Sequence, residues 1–222
     1  MLKKYWWKIL CVLILTYVII GGILFPIPAI PKLAESARNL FYHVPMWYVM
    51  ITCFLVSSIY GVKYLQKPTL KNDTISVELV HVGILFGCFG MLTGMEWANI
   101  AWGKAWSNDP KQVGSALCLL IYLAYMVLRN SIKDEQKKAQ IAAVYNIFSF
   151  ALLVPLLFII PVHLKSLHPG TDSKPFEALY IQAAAFRTVS IPAMIGWILL
   201  GIWIFDIKYR IKKLQQQQLQ KN

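Results

Sequence analysis

Six long apolar runs decide most of what this chain can become. They fall at roughly residues 6–25, 44–65, 77–95, 113–129, 139–161 and 186–205, with short polar segments between them. Each is about the ~20 residues that a helix rising 1.5 Å per residue needs to cross ~30 Å of hydrocarbon. The apolar residues come in blocks instead of at the period of a half-buried helix or strand. The reading is all-α: a polytopic membrane helical bundle of six transmembrane helices, with 1–222 as a single membrane-embedded domain. Composition agrees, since 58% of the 222 residues are hydrophobic and mean hydropathy is +0.55. That is too apolar for an ordinary soluble domain.

The net charge of +12 raises nucleic acid as a partner, and its distribution argues against one. An even number of spans puts both termini on one side. That side carries Lys3, Lys4 and Lys8, then Lys63, Lys67 and Lys71, then Arg129, Lys133, Lys137 and Lys138, and finally five between Lys208 and Lys221, fifteen of the 22 basic residues. The acids divide equally. By the positive-inside rule both termini are cytoplasmic. The charge therefore reads as a topology signal and a contact with anionic membrane lipid, not as a nucleic-acid footprint. The start, MLKKYWWKIL, reads as a retained first span, because its apolar run is long and leads to Pro26, Pro28 and Pro31 instead of a small-x-small cleavage site. Cys11, Cys53, Cys88 and Cys118 fall in four different spans with no C-x-x-C. A disulfide framework and a structural zinc site are therefore not expected.

Between two apolar runs lies the polar stretch Thr93 to Gln112, TGMEWANIAWGKAWSNDPKQ, with three of the eight tryptophans. It reads as an interfacial segment on the outer face. If it is helical, Trp102, Trp106 and Asp109 share a face at i, i+4 and i+7. The plain reading is a belt of tryptophans anchored at headgroup depth; the sharper one is a stacking platform for a large flat apolar ligand. Asp109-Pro110 also suits the N-cap and first position of the fourth span. The charge-derived topology brings three of the four histidines to this same face: His43 at the mouth of the second span, with Pro45 read into its first turn, and His163 and His168 after the fifth. His81 alone lies elsewhere, within reach of Glu78 at i+3. Two neutral imidazoles on separate loops beside an aromatic plate suit axial ligation of a haem iron, and spacing does not choose between His163 and His168. Arg187, near the outer end of the sixth span, either snorkels to the interface or pairs with a carboxylate such as a porphyrin propionate. There is no G-x-x-x-x-G-K-[ST], so ATP hydrolysis by that route is not expected, and no H-E-x-x-H or G-x-S-x-G; the sequence offers a ligand platform, not a catalytic triad.

The segment TGMEWANIAWGKAWSNDPK resembles the tryptophan-rich WWD signature of the haem-handling membrane proteins of cytochrome c biogenesis. The match runs through Trp97, Ala98, Asn99, Ala101, Trp102, Gly103, Trp106, Asp109, Pro110 and Lys111. FYHVPMW is similar to the H-V-P stretch of the haem exporter protein C branch, the C component of the cytochrome c maturation system, and SLHPG resembles that branch's second outer histidine. Ala105 and Asn108 stand where aromatics are common, and WANIAWG is closer to the larger cytochrome c synthase branch. The resemblance implies a multi-pass protein of the bacterial cytoplasmic membrane whose working loops face the periplasm. It implies haem b held by His43 and His168 over Trp97, Trp102, Gly103, Trp106 and Asp109. The haem would pass to a periplasmic haem chaperone, cytochrome maturation protein E, in concert with ATP-binding-cassette subunits. The rival expectations are a cytochrome c synthase subunit that attaches haem directly, a b-type membrane cytochrome passing electrons to quinone, and a plain permease.

Overall fold

A computed structural model describes residues 2–26, 34–168 and 184–219. The prolines at 28 and 31, the Pro169-Gly170 step after His168 and the last three residues lie outside that description. Helix α1 is Leu2–Leu24. A 3-10 segment, Ala34–Asn39, leads into α2, Leu40–Gln66. Then come α3, Leu70–Trp102, and α4, Pro110–Ser131. The fifth rod is composite: α5, Glu135–Val154, runs through a π-helical turn, Pro155–Ile159, into α6, Ile160–His163. Helix α7 is Ala184–Leu219. Among the described residues six helical rods are long and apolar enough to cross a membrane, and the chain is a multi-pass membrane protein.

The helices start and stop where local chemistry says they should. Thr69 caps α3 by accepting from the Asn72 N–H at 3.2 Å, and Asp134 caps α5 by accepting from the Lys137 N–H at 2.7 Å. Pro68 follows the end of α2, where a proline cannot continue the helix. Pro155 and Pro161 bracket the π turn, and the missing N–H groups account for its widened spacing. Pro45 is a correction to the sequence reading. The helix begins at Leu40, so Pro45 sits past the first turn, inside α2.

Helices α2 and α3 form the spine, and their contact is a ladder of glycines. A Cβ at Gly94 would meet His43, one at Gly90 would meet Trp47, one at Gly87 Met50, and one at Gly83 Phe54. The four pairs run antiparallel in strict register, 4-3-4 along both helices. Small residues let the backbones approach, which is the main source of helix cohesion where lipid supplies no hydrophobic drive. Phe54 stacks on Tyr122 of α4 with ring centroids 3.5 Å apart. Helices α1 and α7 pair antiparallel at the side: Trp7 meets Trp203 edge-on at 6.3 Å, and the Tyr17 hydroxyl donates to the Thr188 carbonyl at 3.1 Å. Outward faces are apolar; Leu13, Val127 and Phe148 are each more than 60% exposed, as lipid contact requires.

The two ends of the bundle differ. One gathers the charged contacts. Arg129 grips Asp73 with two hydrogen bonds, 2.8 and 2.6 Å, Glu78 sits between His81 and Lys208 at 3.2 and 3.4 Å, and Lys8 faces Asp206 at 3.4 Å. The Glu78–His81 pair expected from i+3 spacing is present. The other end holds His43, Trp97, Trp102, Trp106, Asp109 and His168.

Candidate ligand site at the His43 end

The site begins with how α3 stops. Gly103 adopts a left-handed φ of 75° and ends the helix directly after Trp102, the usual glycine C-cap. Trp97 and Trp102 therefore ride the last turns of a long spanning helix, and Trp106 lies in the connection beyond it. Trp102, Trp106 and Asp109 do not share a helix face. This overturns the helical form of the sequence expectation, and its cause is a residue that needs no Cβ. The connection is folded back by Gln112, which accepts from the Ser107 N–H and hydroxyl at 3.0 and 2.9 Å and donates to the Ala105 carbonyl at 3.0 Å. Asn108, at φ 57°, takes a conformation Asn tolerates and accepts from the Trp106 indole N–H at 2.6 Å.

Asp109 is the hub. Its carboxylate accepts from the Lys111 and Gln112 N–H groups at 2.9 and 3.3 Å, capping α4 with Pro110 at the first position. The same carboxylate reaches across to the end of the fifth rod. It accepts from the Ser166 hydroxyl at 2.8 and 2.9 Å, from the Leu167 N–H at 2.6 Å, and from His168 Nδ1 at 3.2 Å. One carboxylate thus both caps α4 and ties it to the end of the fifth rod. Burial alone would raise its pKa; the bonds from His168, Leu167 and Ser166 outweigh that and hold the carboxyl well below its ordinary range.

His168 is placed by this contact and by two indoles. Its ring centroid lies 5.1 Å from Trp102, nearly perpendicular, and 6.2 Å from Trp97, while Trp97 and Trp102 meet edge-on at 5.2 Å. Burial lowers the pKa of His168, Asp109 partly offsets this, and the nearby Lys111 cation lowers it further, which favours the neutral imidazole. With its Nδ1–H turned to a carboxylate, its lone pair is on Nε2. His43 is arranged alike: its Nδ1 lies 3.0 Å from the Gly90 carbonyl and 3.2 Å from the Thr93 hydroxyl. The carbonyl can only accept, so Nδ1 carries the proton and Nε2 the lone pair. Trp97 is 6% exposed and its indole N–H has no hydrogen-bond partner among the described residues.

The structure separates the sequence candidates. His43, Trp97, Trp102, Asp109 and His168 come to one end of the bundle, and Gly103 shapes it. His163 ends α6 exposed, and among the described residues no ring contact or hydrogen bond joins it to this cluster. Trp106 is 39% exposed. Arg187 lies exposed in the first turn of α7, and among the described residues no hydrogen bond or ion pair joins it to either histidine. Sequence reasoning missed Gly90, Gly94, Gln112 and Ser166. The glycines had a signal in their 4-3-4 spacing; Ser166, 57 residues from Asp109, had none.

Fold and site together define a class: a polytopic helical membrane protein with two half-buried imidazoles, each with Nδ1 on an acceptor, beside an indole cluster at one bundle end. The chain belongs to the cytochrome c assembly protein family, whose model matches residues 6–168, from α1 through His168. It is similar to "Cytochrome c biogenesis protein CcsA" of Parasynechococcus marenigrum (strain WH8102), 34% identical over 96 residues, 41% of this chain and 32% of that one. The protein of the same name from Prochlorococcus marinus (strain NATL1A) is 33% identical over 93 residues, 42% of this chain and 29% of the relative. That from Synechococcus sp. (strain CC9311) is 40% identical over 71 residues, 32% and 23% of the two chains. The chain thus spans at most about a third of the length of these curated relatives. Family membership places it in cytochrome c biogenesis.

Proposed function

We propose that this protein binds haem b at the outer face of the bacterial cytoplasmic membrane and passes it to a periplasmic haem chaperone during cytochrome c maturation. The observation that carries the reading is the matched pair of imidazoles. His43 and His168 come from different rods to one end, and each turns Nδ1–H to an acceptor so that Nε2 is the ligating nitrogen. Metal-binding histidines use this arrangement, and the acceptor on the far nitrogen fixes ring and tautomer. His43 and His168 would hold haem through its iron by their Nε2 atoms, and the haem would supply the cargo for cytochrome c maturation. The chain's own residues do the rest. Asp109 orients His168, the Gly90 carbonyl orients His43, and Trp97 and Trp102 offer edges and faces to an apolar macrocycle. Arg187, at the same end, is the candidate partner for a propionate.

The excess of positive charge at the opposite end supports an outer, periplasmic placement of the site. The sequence has no G-x-x-x-x-G-K-[ST] motif, which suits a partner of ATP-binding-cassette subunits that supply the energy; the haem chaperone is the other expected partner. A second reading keeps the haem and makes this chain part of a cytochrome c synthase. It is favoured by WANIAWG and by relatives that carry the name cytochrome c biogenesis protein. Dependence on the chaperone separates the two. With the chaperone deleted, c-type cytochromes disappear on the first reading and persist on the second. Purified wild-type protein is expected to give a positive pyridine haemochrome test; protein that stays colourless under ample haem supply sinks both.

A further inference from the structure

We infer that Gly94 is a positioning residue for His43: with the Gly90 carbonyl, it forms a backbone cradle that fixes the direction of Nε2. This rests on the reading of His43 as an axial ligand, and goes beyond it by naming what aims that ligand.

The geometry is specific. A Cβ built on Gly94 would lie 2.6 Å from His43 Cε1, 3.2 Å from Nδ1 and 3.5 Å from Nε2. Real Cβ atoms do not approach within 3.0 Å, so either the ring or the helix must shift. The ring is held on its other sides. Nδ1 is bound by the Gly90 carbonyl at 3.0 Å and lies 3.2 Å from the Thr93 hydroxyl, and the Trp47 ring meets it edge-on at 6.1 Å and 81°. Trp47 is itself seated on Gly90, where a Cβ would come within 2.8 Å of Cε2. One residue thus accepts from the imidazole through its carbonyl and admits the neighbouring indole through its missing side chain.

Close packing of α2 on α3 explains the lower rungs. At Gly83 the partner is Phe54, an apolar ring that a methyl group displaces at the cost of packing alone. At Gly94 the partner is a hydrogen-bonded ring with a defined ligating atom, so the same methyl group changes an angle as well as a volume. Metal sites are sensitive to such supporting groups, with losses of about ten- to a hundredfold in affinity when they are altered.

The test uses the full chain in detergent with labelled histidine. The Nδ1–H resonance of His43, assigned by its loss in His43→Ala, is followed in the haem-free protein. Gly94→Ala is expected to move or abolish it, and Gly83→Ala to leave it in place. After haem loading, Gly94→Ala is expected to lose roughly tenfold in affinity and to convert a low-spin six-coordinate spectrum to a high-spin one. Gly83→Ala lowers the yield of folded protein and keeps the low-spin spectrum. If Gly94→Ala does not fold, Thr93→Val, which deletes only the hydroxyl beside Nδ1, must still shift the resonance. Identical behaviour of the two glycine variants, or an unmoved resonance in both Gly94→Ala and Thr93→Val, overturns the inference. A wild-type protein that binds no haem, yet shows the resonance responding to Gly94→Ala alone, overturns the haem reading and leaves the positioning role standing.

Discussion

Asp109 carries two duties on one carboxylate, and they can be separated by substitution. Asp109→Ala removes the α4 cap and strands the Ser166, Leu167 and His168 donors. A lost cap costs about 1 kcal/mol and a stranded buried donor ~1–3 kcal/mol, so the thermal midpoint in detergent should drop well below that of Asp109→Asn. Asp109→Asn keeps an acceptor oxygen and most of the cap while losing the charge. The pH dependence follows from the same contact. Burial holds the pKa of His168 below the ordinary 6.5 of imidazole. Its neutral form is therefore stabilising above that value, and the contribution is lost as pH falls from 6.5 towards the lowered folded pKa. Asp109, also lowered, contributes above the ordinary carboxylate value and fails only in stronger acid. Haem affinity is thus expected to be flat from pH 8 to 7 and to bend downward below 6.5. In Asp109→Asn the loss of the carboxylate removes an influence that raises His168, so the bend should move to lower pH while affinity at neutrality falls. A bend that moves up instead would contradict the assigned contact. The sequence foreshadowed the cap, because Asp-Pro before an apolar run is a helix start. It could not show the contact with Ser166 and His168, since nothing in local spacing couples residues 57 and 59 positions apart.

At the scale of elements, α3 and the fifth rod set the site. The chain was legible as six spans because apolar blocks of helix-crossing length leave few alternatives. The polar stretch from Thr93 was less so. It reads as an interruption, yet α3 runs through it to Trp102, because neighbouring helices bury Trp97 and Ala98 and nothing stops the helix before Gly103. Helix ends are set by one residue's φ, which hydropathy does not weigh. The position of His168 depends in turn on the packing of α4 against the π turn, where Gly114 lies against the Leu156 carbonyl. Gly114→Leu is predicted to force the two apart, at about 1–3 kcal/mol for overpacking, and to weaken haem binding by separating Asp109 from Ser166, although residue 114 touches neither histidine. Unchanged haem binding in a folded Gly114→Leu protein would show that the site does not depend on this contact.

For the whole molecule, the two ends of the bundle have different tasks. The end opposite His43 and His168 is fastened by charge, and breaking its buried pair should be costly. Asp73→Ala leaves Arg129 at 10% side-chain exposure without its partner, a loss of about 3 kcal/mol, seen as a lower midpoint with no direct effect on the haem spectrum. Orientation follows from the charge asymmetry. A cysteine introduced at Leu164 should react with an impermeant maleimide in intact cells, and one at Lys133 only after permeabilisation. The opposite pattern would move the site to the cytoplasmic face and remove the periplasmic chaperone as a partner. The measurement closest to the central claim is the electron paramagnetic resonance spectrum of the haem-loaded protein beside His43→Ala and His168→Ala. A low-spin bis-imidazole signal in the wild type, lost in each variant and restored in each by added imidazole, is the predicted result. A low-spin signal that survives both substitutions would contradict it.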